Sequence, residues 1–298
     1  MGLRPFVIAF AAAAAAFPAG CTPPPSGDGG RPAGHPTEMP GLHNLLRMRD
    51  DLWSGSSPEG DDGFRSLREL GIRTIVSVDG ATPEVNRARA CGLRYVHLPL
   101  GYGGVTRDQA VRLAKAAADL PGPLYVHCHH GKHRGPTAAA LMCRSRMDGW
   151  SADEAHAFLI TAGTDPRYEG LYAALREFRP PSAEELAGVK VEFPEVAEIG
   201  GLAARMVEVQ DTWDQLKQAP FEARATLAVQ LVEHYREAAR LPEVRARPNT
   251  FQTLRAEAEC GAHELESAIR SGDITRSAAA ADRCAQQCTA CHRDFRDR

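Results

Sequence analysis

The sequence predicts a multidomain chain, in which an α/β domain with a central, largely parallel sheet precedes an all-α four-helix bundle. From about residue 42 to 179, short β-branched runs alternate with helical segments, an order typical of parallel strands connected by helices. From 198 to 298 no strand pattern occurs, and apolar residues recur three and four positions apart, as in amphipathic helices. The segment 180–197, which begins with two prolines, predicts a hinge between the domains.

Runs rich in Val, Ile and Tyr between turn residues indicate the strands of the α/β domain. The predicted strands span 72–78, 93–100 and 123–128. Amphipathic spacing and Ser or Thr caps indicate its helices. The predicted helices span 61–70, 83–91, 106–120, 135–148, a segment that begins at Ser151, and 168–178.

In the second domain, the first predicted helix carries an apolar stripe that runs from Ile199 through Met206 to Leu216. The other helices lie near 220–240, 249–270 and 272–296, separated by prolines and by a Ser-Gly pair. Helices of this length joined by short turns favour a four-helix bundle.

The beginning of the chain is predicted to lie outside both domains. Arg4 precedes an apolar, Ala-rich run, so residues 1–20 resemble a bacterial export signal. The small residues before Cys21 resemble a lipoprotein processing site, which implies lipidation of that cysteine. Residues 21–41 are rich in Pro and Gly and predict a disordered linker. The expected location is the periplasmic side of a bacterial membrane, with the lipid anchor as the only membrane attachment.

Composition narrows the function classes. The chain is 43% hydrophobic and 24% charged, as in soluble globular proteins. Its net charge of −3 gives no reason to expect nucleic-acid binding. The eight cysteines lack the even spacing of a disulfide scaffold. Two of the cysteine groups instead form motifs with chemical meaning.

The tail motif, Cys288-Thr-Ala-Cys291-His292, has the C-x-x-C-H pattern that attaches haem c covalently. On one helical turn both thiols can reach the vinyl groups of a haem, and the imidazole can bind the iron. Chance would produce the pattern in such a composition only about 0.01 times. Together with the helices of 198–298, the motif and the Phe295-Arg296 pair after it resemble the cytochrome c′ / cytochrome c-556 family.

That resemblance implies one covalent haem c, with Cys288 and Cys291 as thioether attachments and His292 as the proximal iron ligand. It also implies Met206 as distal ligand in a low-spin protein, whereas a core-filling role is the alternative. An electron-transfer partner and a homodimer through the bundle are expected. The residues leave open a zinc site with Cys284 as third thiolate, and an iron–sulfur site of the radical-enzyme type.

The second motif, Cys128-x5-Arg134, lies in the stretch YVHCHHGKHRGPTAA. Its spacing alone means little, since chance gives about 0.8 such pairs in this composition. Its context is informative, because a predicted strand precedes the loop and a predicted helix follows at about Gly135. Such a loop can wrap its backbone N–H groups around an anion. Arg134 can clamp two oxygens, and the positive field favours the nucleophilic thiolate of Cys128.

The segment 45–178 resembles the cysteine-dependent dual-specificity and tyrosine phosphatases, closest to the atypical branch with the loop C-x-x-G-K-H-R. The resemblance implies hydrolysis of phosphate monoesters, of a protein or a small molecule, through a cysteinyl-phosphate on Cys128 while Arg134 holds the phosphoryl oxygens. It also implies that His127 orients the loop. The residues it implies for substrate binding are His129, His130, Gly131, Lys132 and His133.

The chain departs from that family at two points. The family has Ser or Thr after the arginine, whereas Gly135-Pro136 stands here, so Thr137 substitutes or the role is unfilled. The family's general acid is an Asp on the loop after the second predicted strand, whereas the loop 101–105 has no carboxylate. Asp108 is expected to be a helix N-terminal acid. A histidine of the Cys128–Arg134 loop is the alternative proton donor.

Other functions remain open from the residues. The clustered histidines could bind zinc or copper, although Arg134 would repel a cation. Rhodanese-type sulfur transferases usually have one residue fewer between Cys and Arg. The α/β domain could also bind an anion without turnover beside a haem-based redox or gas-binding bundle, or Cys128 could exchange electrons with the haem. The leading hypothesis is an exported phosphatase that carries a haem c domain.

Overall fold

The computed structural model describes residues 34–146 and 149–296. Within them, the α/β domain is built on a six-stranded sheet in the order β1-β2-β3-β6-β4-β5. Strands β3, β6, β4 and β5 are parallel, and β1 and β2 are antiparallel additions at one edge. The strands are β1 (Thr37–Met39), β2 (Leu42–Arg49), β3 (Leu52–Gly55), β4 (Thr74–Ser77), β5 (Arg94–His97) and β6 (Leu124–His127).

The β-branched pattern does not predict the antiparallel edge of the sheet, β1 and β2, or the short parallel strand β3. Strand β2 reads LHNLLRMR, and its Leu, Arg and Met favour helices when isolated. Pairing with β3, in which Leu46 faces Ser54, overrides that preference. The linker predicted over 21–41 is also too long, because β1 begins at Thr37 and pairs with β2.

The six predicted helices of this domain are all present within the described residues, with ends shifted by one to four residues. Their bounds are α1 (Gly60–Glu69), α2 (Val85–Ala90), α3 (Arg107–Asp119), α4 (Arg134–Arg144), α5 (Ala152–Thr161) and α6 (Glu169–Glu177). Thr106 and Ser151 form capping boxes at the starts of α3 and α5. The predicted end of α4 at 148 falls on residues outside the described ranges.

Two apolar layers cover the sheet, because successive strand residues point to opposite faces. Val76 and Val126 pack on the side of α4 and α5. Ile75 and Tyr125 pack on the opposite side, with Phe64 of α1. The predicted α/β class is therefore confirmed.

The predicted hinge 180–197 is not a free linker. It contains helix α7 (Ala183–Gly188), whose N-cap Ser182 accepts a hydrogen bond from Glu185 N. Further along, Pro194 O accepts from His97 N at 2.8 Å, and Ala197 N donates to His97 Nδ1 at 3.2 Å. The segment is thus bound to the edge strand β5.

The second domain is helical and forms a bundle, as predicted. Its helices are α8 (Leu202–Gln218), α9 (Arg224–Arg240), the short α10 (Pro242–Arg245), α11 (Asn249–Arg270) and α12 (Ile274–Phe295). Helix α10 is not predicted by the periodicity, because Pro242 looks like a breaker; proline is tolerated at the first helical position. Leu231, Leu265 and Ala280 belong to one buried core.

Helix α9 also contacts the α/β domain. Val229 packs in a small buried cluster with Tyr168 and Leu171, and Tyr168 Oη donates to Glu233 Oε1 at 2.8 Å. Arg167 pairs with Glu266 of α11 at 2.5 Å. The two domains therefore meet through a buried interface with α9 at its centre.

No helix in the described part of the chain combines the length and apolar character needed to cross a membrane. The predicted export signal, 1–20, and the predicted lipidation site, Cys21, lie outside the described residues.

Candidate functional site

The Cys128–Arg134 loop lies at the carboxyl end of the central strand β6, where parallel sheets commonly bind ligands. Cys128 follows the last residue of β6, and Arg134 begins α4. Cys128 is 2% exposed and Arg134 is 0% exposed. The predicted nucleophile and the predicted oxyanion clamp are therefore brought to one buried site.

The loop is held through its carbonyl groups. Asn44 Nδ2 donates to Gly131 O at 2.8 Å, and Thr164 Oγ1 donates to Lys132 O at 2.6 Å. No backbone carbonyl among the described residues accepts from the N–H groups of residues 129–133. The loop carbonyls therefore accept hydrogen bonds from side chains outside the loop, while the loop N–H groups have no backbone acceptor. Backbone N–H groups arranged in this way form a concavity of the kind that binds anions.

The Arg134 guanidinium binds both domains. Its Nη1 donates to Leu100 O at 3.1 Å and to Glu237 of α9. Its Nη2 donates to Asp79 Oδ1 and to Tyr102 Oη, both at 3.0 Å. Its buried Nε has no hydrogen-bond partner among the described residues. Four of the five N–H donors of the group are thus taken.

Asp79, just beyond β4, is an ionised carboxylate in this site. Burial opposes its ionisation, but the hydrogen bond from Arg240 and the charges of Arg134 and Arg240 outweigh burial and hold the pKa of Asp79 well below its usual range. Arg240 Nη1 lies 2.9 Å from Asp79 Oδ1. A carboxyl held in this form does not serve as a proton donor.

Gly135, where the family has a hydroxyl, is closely packed against the nucleophile. A Cβ there would lie 2.9 Å from Cys128 N and 3.4 Å from Cys128 Sγ, so a side chain has little space. Thr137 Oγ1 donates to His133 O at 3.1 Å within the first turn of α4. That bond uses the only hydroxyl proton of Thr137, so Thr137 does not donate to Cys128 in this arrangement.

The general-acid position is also unlike the family's. The loop 101–105 contributes Tyr102, whose ring stacks on Arg134 at 4.1 Å, and no carboxylate. Asp108 lies in the first turn of α3 and accepts from Arg112 Nε at 2.8 Å. Its exposed carboxylate is engaged by its own helix.

The surroundings of the loop lower the pKa of its histidines, of which His127 is buried, His133 is half-buried, and His129 and His130 are exposed. Desolvation lowers the pKa of His127, His129 and His133 to about 4, and it also lowers the pKa of His130. These rings are therefore neutral near neutral pH. His127 Nε2 lies 2.7 Å from Tyr95 Oη, and its Nδ1 lies 3.2 Å from Cys128 O, contacts that fix the start of the loop.

Four of the five residues predicted to bind substrate line a cavity of about 1070 Å³ between the domains, and Gly131 does not. They are His129, His130, Lys132 and His133, and the bundle adds Arg240 and Arg245 to the same walls. Among the described residues, no three His, Cys, Asp or Glu side chains converge in a geometry that could hold a metal ion. The zinc and copper alternatives therefore have no supporting geometry in this part of the chain.

The tail motif lies on α12. Cys288 and Cys291 are free, half-buried thiols one helical turn apart, and Tyr235 Oη lies 3.6 Å from Cys288 Sγ. Cys291 packs against an apolar cluster that includes Phe251. Burial raises the pKa of the Cys291 thiol. Two unpaired thiols on one helix face beside apolar groups fit a covalently attached haem.

The two predicted iron ligands, His292 and Met206, lie on α12 and α8. His292 follows Cys291 in the last turn of α12 and is half-buried. Met206 is half-buried and packs against the bundle core, a role that requires no iron. Burial and the neighbouring Cys288 raise the pKa of the Cys284 thiol to about 12, as expected of a protonated core cysteine.

The sequence does not predict the side chains that the bundle and the neighbouring loops place beside the Cys128–Arg134 loop. These groups are Asp79, Tyr102, Glu237 and Arg240. Asp79 follows a predicted strand that proves parallel to β6, which is the only signal that could have indicated its position. Glu237 and Arg240 lie 103 and 161 positions from their partners, so no local pattern relates them.

Comparison with protein families matches residues 200–296 to the model of Cytochrome C′. The resemblance predicted for the second domain is therefore confirmed over those residues. Comparison with curated proteins finds no match.

Several solved structures are similar to about half of the chain. TpbA of P. aeruginosa has 23% identity over 49% of this chain and 97% of that chain, with a TM-score of 0.35. Human DUSP28 has 19% identity over 48% of this chain and 95% of that chain, with a TM-score of 0.37. The core catalytic domain of the PP-IP phosphatase Siw14 of S. cerevisiae has 16% identity over 51% of this chain and 90% of that chain, with a TM-score of 0.39. One TpbA structure is a complex with pTyr.

Replacement of Gly131 by Ala is expected to destabilise the α/β domain strongly. Gly131 has φ of +69°, and a Cβ there would lie 2.5 Å from the Gly55 carbonyl oxygen. Gly92 has φ of +72° but open space around it, so Gly92→Ala isolates the backbone strain. We expect a loss of about 1 kcal/mol for Gly92→Ala and about 3 kcal/mol or more for Gly131→Ala, measured by denaturant unfolding. Equal losses would contradict the close contact.

Acid is expected to destabilise the protein partly through His127. Its folded pKa of about 4 lies below its ordinary value of 6.5. The unfolded chain therefore binds more protons between these values, so stability falls as pH falls through that window, by up to about 3 kcal/mol. Thermal unfolding at several pH values should show a shallower acid dependence for His127→Gln. The surface variant His156→Gln should keep the wild-type dependence, and an unchanged slope in His127→Gln would refute the assignment.

Proposed function

We propose that the protein is an exported cysteine-dependent phosphatase that acts on phosphate monoesters and carries a haem c domain. The observation that supports it best is the loop from Cys128 to Arg134, in which two buried catalytic groups bracket backbone N–H groups without backbone acceptors. A phosphoryl group is the anion that such a loop, an arginine fork and a helix N-terminus suit together.

In the proposed reaction, the Cys128 thiolate attacks phosphorus, and an S–P bond forms as the P–O bond to the leaving group breaks. The leaving oxygen takes a proton from solvent water. Water then attacks the cysteinyl-phosphate, the S–P bond breaks, and inorganic phosphate and the thiolate are released. The loop N–H groups and Arg134 stabilise the charge on the phosphoryl oxygens throughout.

The side chains around the loop determine whether the leaving oxygen can be protonated. Asp79 is ionised, and Asp108 is engaged with Arg112. The histidine candidate, His133, has a pKa that burial lowers to about 4, so it carries a proton only in acid. Aryl phosphates, whose leaving oxygens need little protonation, are therefore the favoured substrates, and alkyl phosphates should react chiefly in acid. Phosphotyrosine-like esters belong to the favoured group.

The decisive variant for this function is Cys128→Ser. We expect the release of p-nitrophenol from p-nitrophenyl phosphate to fall by about 1000-fold or more, because the nucleophile is lost. Cys91→Ser, in the same domain but away from the loop, should retain wild-type activity. Activity that survives in Cys128→Ser would exclude the proposed nucleophile.

For the bundle, we propose one covalent haem c, which Cys288 and Cys291 would hold as thioethers and whose iron His292 would bind; Met206 would be a second iron ligand, with a core-filling role as its alternative. When bound, haem c supplies one-electron and gas-ligand chemistry. The chain's own residues contribute the two thioether sulfurs, the imidazole and the apolar surroundings that include Phe251. The family match at 200–296 and the free thiols support this proposal.

Covalent haem is expected to depend on Cys288 and Cys291 but not on Cys284. After export with a haem-maturation system, wild type and Cys284→Ala should give a pyridine haemochrome spectrum of haem c, because Cys284 is a core thiol. The double variant Cys288→Ala/Cys291→Ala should give none. Covalent haem in that double variant would rule out the attachment site.

The export signal 1–20 and lipidation of Cys21 complete the proposal, with the protein on the periplasmic side of a bacterial membrane and the lipid as its only membrane attachment. An electron-transfer partner and a homodimer through the bundle belong to the same proposal. Phosphorylated proteins and phosphorylated small molecules both suit the loop chemistry.

A second candidate is a haem-based redox or gas-binding protein whose α/β domain binds an anion without turnover. It is favoured by Gly135 in place of a hydroxyl and by the loop 101–105 without an acid. The p-nitrophenyl phosphate assay decides between the candidates, since only the first predicts a turnover that depends on Cys128.

A further inference from the structure

We propose that helix α9 of the bundle blocks the phosphatase-like site, with the Glu237 carboxylate bound to Arg134 in the place of a phosphoryl group. This inference rests on the proposed function, because it concerns the regulation of that same site. The block is a contact between two domains of one chain and is released when α9 moves away from the loop.

The first support is the occupancy of Arg134. A phosphoryl group is gripped by two adjacent N–H donors of the guanidinium fork. In this arrangement Nη1 is bound by Glu237 and Leu100 O, and Nη2 by Asp79 and Tyr102. Only Nε has no partner in the described residues. A phosphoryl group therefore finds only the Nε N–H free, and release of Glu237, the carboxylate supplied by the other domain, would add one N–H of Nη1.

The second support is how closely α9 fits the mouth of the site. A Cβ on Gly80 would lie 2.8 Å from Glu237 Oε1, and a Cβ on Gly103 would lie 3.1 Å from Gln230 Oε1. Glycine at these two positions lets α9 approach the loop after β4 and the loop after β5. Both loops border the Cys128–Arg134 loop, so α9 covers the entrance that a substrate would use.

The third support is burial. Cys128 and Arg134 are 2% and 0% exposed, and neither lines the inter-domain cavity. Glu237 is itself only 7% exposed and is also bound by Arg205 of α8 at 3.1 Å. A phosphate ester cannot reach Cys128 while this carboxylate and its helix stay in position, because the ester needs contact distance to the sulfur.

The same helix reaches the haem-attachment motif on its other side. Tyr235, two positions before Glu237, lies with its Oη 3.6 Å from Cys288 Sγ. Leu231 and Val232 of α9 lie in the bundle core. A change of packing around Cys288 therefore acts on the helix that carries the blocking carboxylate, which gives the two domains a physical reason to share a chain.

An alternative role for Glu237 is to position Arg134 for catalysis. The two roles predict opposite effects on anion affinity and turnover when the charge of Glu237 is removed. A blocking carboxylate competes with phosphate, so removal of its charge raises anion affinity and turnover. A positioning carboxylate holds the guanidinium in a productive orientation, so removal of its charge lowers both.

The test uses the full-length holoprotein and the variant Glu237→Gln, which keeps the shape and removes the charge. We expect Glu237→Gln to bind orthovanadate about 10-fold more tightly by calorimetry, and to raise kcat/KM for p-nitrophenyl phosphate by a similar factor, because the competing state loses its ion pair. Glu266→Gln is the matched control. It removes another inter-domain ion pair, with Arg167, that does not touch Arg134, and it should leave vanadate affinity near wild type.

A second variant displaces the Glu237 carboxylate by steric contact and leaves its charge unchanged. Gly80→Ala adds a methyl group against the Glu237 carboxylate and should displace it, because the carboxylate is the end of a flexible side chain. It should therefore also tighten vanadate binding, and the double variant Gly80→Ala/Glu237→Gln should add little to either change. This arm remains informative if Glu237→Gln folds poorly.

Unchanged or weaker vanadate binding in both Glu237→Gln and Gly80→Ala would overturn the block. Failure of the proposed function is distinguishable, because it appears as no Cys128-dependent phosphate release in any variant while the vanadate comparison still reports on Glu237. An equal gain in Glu266→Gln would also overturn the proposal, since it would show that general loosening of the interface, and not the Arg134 carboxylate, controls the site.

Discussion

The guanidinium group of Arg134 is the interaction on which the rest of the structure depends. Arg134 is the last residue of the Cys128–Arg134 loop and the first residue of α4. Its guanidinium group donates hydrogen bonds to Leu100 O, to Asp79 and to Glu237 of the second domain. A fully buried cation is stable only when it is paired and hydrogen-bonded. The neighbouring carboxylates raise the pKa of Arg134 despite its burial. The same pairing that makes its burial tolerable also joins the Cys128–Arg134 loop to the bundle.

The fold makes this pairing possible through close backbone approaches. Gly131 packs against the end of β3, and Gly135 packs against Cys128, so that the loop is compact around its N–H groups. Gly80 admits the Glu237 carboxylate. The Cys128–Arg134 loop and a helix of a separate domain thereby meet at the buried Arg134. The chemistry of the loop and the position of the bundle are thus two consequences of one arrangement.

The sequence predicts three of the four parallel strands, most helices and both cysteine motifs, because periodicity, caps and local spacing are short-range signals. It does not predict β2, whose residues favour helix until β3 pairs with it. It also does not predict Glu237 or Arg240 at the loop, since these contacts arise from the docking of two domains and leave no local pattern. The departures at Gly135 and at loop 101–105 are visible in the sequence. Their physical reasons, crowding at Cys128 and a tyrosine stacked on Arg134, appear only in three dimensions.

The central claim is that Arg134 is shared between an anion and the helix α9, so that the two compete. Hydrogen–deuterium exchange of the full-length holoprotein, with and without saturating orthovanadate, tests it most directly. We expect faster amide exchange on vanadate binding in residues 224–240 and 101–105, because the inter-domain contacts open as the anion displaces Glu237. Slower or unchanged exchange in both segments, with vanadate bound, would contradict it.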